Sequence, residues 1–97
     1  MMITFYRPNE AGEVKYYSVH DRQGSLFMTH GFTAVWGSFP NAGRERVYTF
    51  DSRAEMDKKL RQIFGKRIKD GYRVLYSFAR NQRYLKMFEE IKAREVG

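Results

Sequence analysis

The chain has no cysteine, only two prolines, a single tryptophan, and no apolar run approaching the roughly 20 residues that span a bilayer. Without cysteine there are no disulfides, no thiolate nucleophile and no cysteine-ligated zinc. The amino terminus lacks the basic-then-apolar pattern of a signal peptide, so a cytoplasmic protein with no membrane partner is expected. No glycine-rich phosphate loop with its lysine is present, and Gly12, Gly24, Gly31 and Gly37 are too scattered for a dinucleotide fingerprint. His20 and His30 stand apart, with no carboxylate ligand set around them. Adjacent carboxylates such as Glu89 and Glu90 point different ways on a helix, which suits salt bridging better than acid catalysis. The expectation is a non-enzymatic protein with no metal and no cofactor.

What is present is aromatic and basic. The 97 residues are 42% apolar and 16% aromatic, enough to fold as one domain with one modest core. The net charge of +7 is unevenly placed. Residues 1–51 hold five basic and five acidic side chains and are neutral. Residues 52–70 hold seven basic and three acidic, for +4, and residues 71–97 hold six and three, for +3. A positive carboxy-terminal half steers a domain toward a polyanion, and it also serves simple solubility.

Period-two patterning dominates the first half. Ile3 to Tyr6 and Val14 to His20 read as strands joined by a hairpin through Asn9-Glu10-Ala11-Gly12, with Val14 and Tyr16 on one face and Tyr17 and Val19 on the other. A turn is expected at Asp21-Arg22-Gln23-Gly24. From Leu26 to Trp36, the residues Leu26, Met28, Phe32, Ala34 and Trp36 share one parity, with Gly31 suggesting a bulge or a change of strand direction. Pro40-Asn41-Ala42-Gly43 is a turn before a strand over Arg44 to Phe50. The period then becomes helical. Ser52 and Glu55 have the form of a capping box, and Met56, Leu60, Ile63, Phe64 and Ile68 make one apolar stripe. Gly71 is a helix stop, residues 72–76 form an edge strand, and a last helix over Arg80 to Arg94 turns Tyr84, Leu85, Phe88 and Ile91 inward, capped by Ser77 or Asn81. The expected fold is α+β: a small antiparallel sheet packed against one main helix, with an additional C-terminal helix at an edge or end.

Trp36 closes an apolar run beside Gly37, where the backbone can turn without a side chain in the way. The ring is either a core group under the helix or a stacking surface at the strand end, worth roughly 1–3 kcal/mol against a base. Arg44 and Arg46, two apart on one strand, point to the same side and would clamp phosphate if that side is open.

Trp36-Gly37-Ser38, then Gly43, Tyr48-Thr49-Phe50, the helix with Phe64, and Lys69-Asp70-Gly71-Tyr72 resemble the WGR domain over about residues 14–75. The resemblance implies a single WGR-like domain over 1–97, with 77–97 as a C-terminal helical extension. Such domains occur in poly(ADP-ribose) polymerases and in bacterial proteins, sometimes alone, as an antiparallel sheet with a helix against it. In the polymerases they bind nucleic acid near a strand end, the tryptophan packing on the terminal sugar. Trp36 would take that role here, with Gly37 permitting close approach. The pattern departs at Ser38, which stands where the family has arginine, at Phe39-Pro40, and at Arg44, which replaces the glutamine after Gly43. A hydroxyl does not replace a guanidinium.

Two functions follow as expectations. One is non-catalytic nucleic-acid binding, DNA before RNA, at strand ends or breaks, through Trp36, Gly37, Ser38, Arg44, Arg46, Lys58, Lys59, Arg61, Lys66 and Arg67. The other is protein interaction or self-association, as a homo-oligomer or with another protein, through an exposed sheet face bearing Tyr6, Tyr16, Tyr17 and Tyr48.

Overall fold

The structure, a computed structural model, describes residues 1–21 and 30–94. Among these described residues, five strands and two helices are arranged as β1 (Met2–Pro8), β2 (Val14–His20), β3 (Gly31–Phe39), β4 (Arg44–Thr49), α1 (Arg53–Lys69), β5 (Arg73–Phe78) and α2 (Gln82–Arg94). The fold is α+β, one antiparallel sheet of order β4-β3-β2-β1-β5 packed against both helices. Leu26, Met28 and most of the turn expected at 21–24 lie outside the described residues. Gly31 opens β3 and pairs in register with Thr49, without a bulge, and residues 22–29, which the expected change of direction also involves, lie outside the described residues.

Local chemistry sets the boundaries. Asn9 turns β1 into β2 because its side-chain oxygen accepts from the Ala11 and Glu13 amides, both at 3.0 Å, while Gly12 takes a φ of 81°. Ser52 caps α1 by accepting from the Glu55 amide at 3.2 Å. At the far end the Gly71 amide donates to the Ile68 carbonyl and the Tyr72 amide to the Arg67 carbonyl, with Gly71 at φ 91°, which is the Schellman stop. Asn81, not Ser77, caps α2: its side-chain oxygen accepts from the Arg83 amide at 2.8 Å, whereas Ser77 lies inside β5.

Strand parity then sorts the side chains. Ile3, Phe5, Tyr17, Val19, Phe32 and Ala34 are buried beneath Met56, Leu60, Ile63 and Phe64 of α1. Phe64 ties the layers together, 5.6 Å from Phe5 and 6.0 Å edge-on to Phe88 of α2. The last helix is therefore part of the main core: Tyr84, Met87, Phe88 and Ile91 are all buried there, and Leu85 is only half-buried. An irregularity between Thr4 and Phe5 leaves Leu75 of β5 outside the register with β1, and it stands exposed.

Candidate functional site

Pairing across β1 to β5 assigns two sheet faces with different chemistry. On the helix-covered face, Tyr17 pairs with Trp36 and Trp36 with Arg44, while Ala34 pairs with Arg46 and Phe32 with Tyr48. Trp36 is half-buried, packed against the core and stacked on Tyr17 at 5.9 Å and 19°. It is a core-flanking ring at the rim, neither fully buried under the helix nor clear of the core.

Cations gather on that rim. The Arg46 guanidinium lies 4.7 Å from the Tyr48 ring and the Lys59 ammonium 5.7 Å from it, so a cation from the strand and one from the helix reach the same phenol. Arg67 lies 4.5 Å over Tyr17 and 5.5 Å from Tyr72, and its Nε is buried without a hydrogen-bond partner. The helix stop explains this position: Tyr72 follows Gly71 and folds back on the turn that carries Arg67. Burial pushes the Tyr17 phenol above its ordinary 10.0, and the neighbouring Tyr48 adds to the rise against the pull of Arg67.

The other basic residues do not join this rim. Arg61 faces α2 and pairs with Glu90 at 3.1 Å. Lys66 lines a cleft of about 850 Å³ with Arg61, Gly65, Lys69 and Arg94. Lys58 is exposed on α1. The helix therefore divides the expected nucleic-acid set: Arg44 pairs with Trp36, Arg46 and Lys59 lie at Tyr48 and Arg67 at Tyr17, which stacks on Trp36, whereas Arg61 and Lys66 lie elsewhere. Ser38 is half-buried, pairs with Lys15, and its carbonyl accepts from the Asn41 amide at 2.8 Å. Gly37 points the opposite way, toward Tyr16, whose ring occupies the approach the glycine was expected to leave open.

Among the described residues no helix covers the second face. It carries Val14 beside Phe39, Met2 beside Phe78, Thr4 beside Tyr76 and Thr33 beside Val47. Phe39 is 67% exposed, Val47 and Tyr76 both 52%, and Phe78 50%. Tyr6 and Tyr16 lie here as expected. Tyr17 and Tyr48 do not: they sit on the helix-covered face, Tyr17 sharing parity with buried Val19 in β2 and Tyr48 pairing with buried Phe32. Sequence reasoning missed Tyr76 and Phe78; their spacing of two marks them as sharing a face, and pairing with Thr4 and Met2 shows which face it is.

His20 and His30 are each half-buried with Nδ1 unpaired, and among the described residues no group of three metal-ligating side chains forms. Among the described residues no helix is long and apolar enough to cross a membrane.

No family model and no curated protein matches the chain. A crystal structure of a protein from Bacteroides fragilis is similar to it, with a TM-score of 0.62 and 19% identity over 95% of this chain and 21% of that one. The chain thus spans about a fifth of that protein's length, and at this identity the likeness is one of fold.

Proposed function

We propose that the chain is a non-catalytic interaction module that works through the uncovered sheet face. The observation that carries this is the run of large apolar side chains, Met2, Val14, Phe39, Val47, Tyr76 and Phe78, exposed on one side of a sheet whose other side is closed by helices. Large apolar side chains exposed together on one sheet face are costly to leave in water and mark contact sites. The test is a photo-reactive phenylalanine analogue placed at Tyr76 or Val47, with Lys58 on the helix side as reference. Adducts to protein at the two sheet positions, absent at Lys58 and lost on Phe78→Glu, are expected. Equal yields at all three positions contradict the reading.

Nucleic-acid binding is the second reading. Its support is the set of cations on the Trp36 face, Arg44 beside Trp36, Arg46 and Lys59 at Tyr48 and Arg67 at Tyr17, together with the resemblance of Trp36-Gly37 and Lys69-Asp70-Gly71-Tyr72 to the WGR domain. On this reading DNA ends or breaks meet the rim, and binding falls steeply with salt. Titration of blunt, nicked and closed duplexes at two salt concentrations tests it; no binding at low salt rejects it.

A further inference from the structure

We propose that the occupant of the uncovered face is a second copy of this chain, packed face to face about a two-fold axis running along the strands, so that Glu45 of each copy meets Arg73 of the other. This rests on the reading of that face as a contact surface.

Charge is the first argument. Among the described strand residues, register puts one cation, Arg73, and one carboxylate, Glu45, on this face. The remaining basic side chains of α1 and α2, and Arg44 and Arg46 of β4, belong to the covered side or its rim. A chain of charge +7 repels its own copy through most of its surface, and this face is where two copies approach without bringing that charge together. An acidic partner would instead be drawn to the helix side.

Placement is the second. Glu45 lies on β4 and Arg73 on β5, the two opposite edges of the sheet. A two-fold axis across the strands lays β4 on β4 and sets Glu45 against Glu45. An axis along the strands lays β4 of one copy on β5 of the other, and it does so at both edges at once. Glu45 pairs through Val35, Ser18 and Thr4 to the level of Tyr76, and Arg73 is the next outward-facing position toward Tyr6. That offset, roughly 7 Å along the strand, is within reach of two long side chains across sheets skewed by about 30°.

The apolar positions follow the same axis. Val47 pairs with Thr33, Thr33 with His20, His20 with Met2 and Met2 with Phe78, forming one row from edge to edge. Exchange of edges puts Val47 of each copy over Phe78 of the other, and both residues are half exposed in the single chain. Five strands about 4.8 Å apart and about 20 Å long offer roughly 500 Å² per copy, at the small end for specific interfaces, so the dimer is a weak one.

Sedimentation velocity from about 10 μM to about 1 mM tests the arrangement. The wild-type chain is expected to dimerise over that range. Glu45→Arg or Arg73→Glu alone should weaken the dimer by about tenfold, and the double reversal should return it to within about threefold of wild type. Both positions are exposed, and circular dichroism confirms that each variant is folded. A monomer throughout, unaltered association in the single variants, or no recovery in the double variant overturns the proposal. A monomer that still forms photo-adducts to a different protein through Tyr76 overturns the second copy alone and leaves the contact face standing; absence of both results removes both.

Discussion

Tyr16 and Gly37 face each other across β2 and β3, and the phenol lies where a side chain at Gly37 would go. A Cβ at Gly37 would stand 3.1 Å from the Tyr16 hydroxyl and 2.9 Å from Gly43 Cα, and one at Gly43 would overlap that hydroxyl and lie 2.8 Å from the Trp36 carbonyl oxygen. The two glycines are therefore the bed of an aromatic ring on the uncovered face. The turn between β3 and β4 is fixed by Tyr16 from one side, and the strand before it by Trp36 on Tyr17 from the other.

Gly43→Ala should accordingly cost about 1–3 kcal/mol by overpacking. Urea denaturation measures it, and a Tyr16→Ala, Gly43→Ala double variant should lose less than the two single losses added together. Full additivity would mean that the ring and the glycine do not interact.

Arg67 offers a different contrast, since no carboxylate pairs with it among the described residues and its guanidinium rests on Tyr17 and Tyr72. Arg67→Ala should destabilise by about 1–2 kcal/mol through lost stacking and stem packing. Because rings rather than a salt bridge hold the cation, the loss measured in high salt should remain close to that in low salt.

Two phenols give the fold an alkaline limit. Tyr17 and Tyr84 are both pushed above a phenol's ordinary 10.0 by burial, Tyr84 further by the Asp57 carboxylate. A raised value in the fold means that the unfolded chain releases these protons first. Their contribution is complete below about pH 10 and falls away as pH rises through the folded values. Denaturation followed between pH 8 and 11 should show stability declining only above about 10, with Tyr17→Phe reducing the decline.

The start of α2 depends on one side chain. Asn81→Ala should cost about 1 kcal/mol of stability through loss of the bond to the Arg83 amide. Ser77→Ala should fall within about 0.5 kcal/mol of wild type, because Ser77 is a strand residue and caps nothing. Thermal melts of the two variants separate them.

Much of this scaffold was legible from residue periodicity. Val14 and Tyr16 part from Tyr17 and Val19 as alternation requires, and Met56, Leu60, Ile63 and Phe64 trace the buried stripe of α1. Gly71 announced its helix stop because glycine alone enters the positive-φ region at no steric cost. Other features depend on distant partners. Nothing near Gly37 tells that Tyr16, on another strand, fills the space beside it. Alternation in β5 is broken at Leu75, so the face of Tyr76 and Phe78 emerges only once Thr4 and Met2 are known to be their neighbours. The basic residues of α1 formed a single set in sequence, yet a helix turns Lys59 and Arg67 toward the sheet rim and Arg61 toward α2.

Oxidative footprinting measures directly whether the uncovered face stays in water. The chain is exposed to hydroxyl radicals as dilute purified protein and again inside cells, and modification is read residue by residue. The account predicts that Met2, Tyr76 and Phe78 are labelled readily in dilute solution and several-fold less in cells, while residues on the outer side of α1 keep their rates. Equal labelling of Met2, Tyr76 and Phe78 in both settings would mean that nothing binds there and would contradict it.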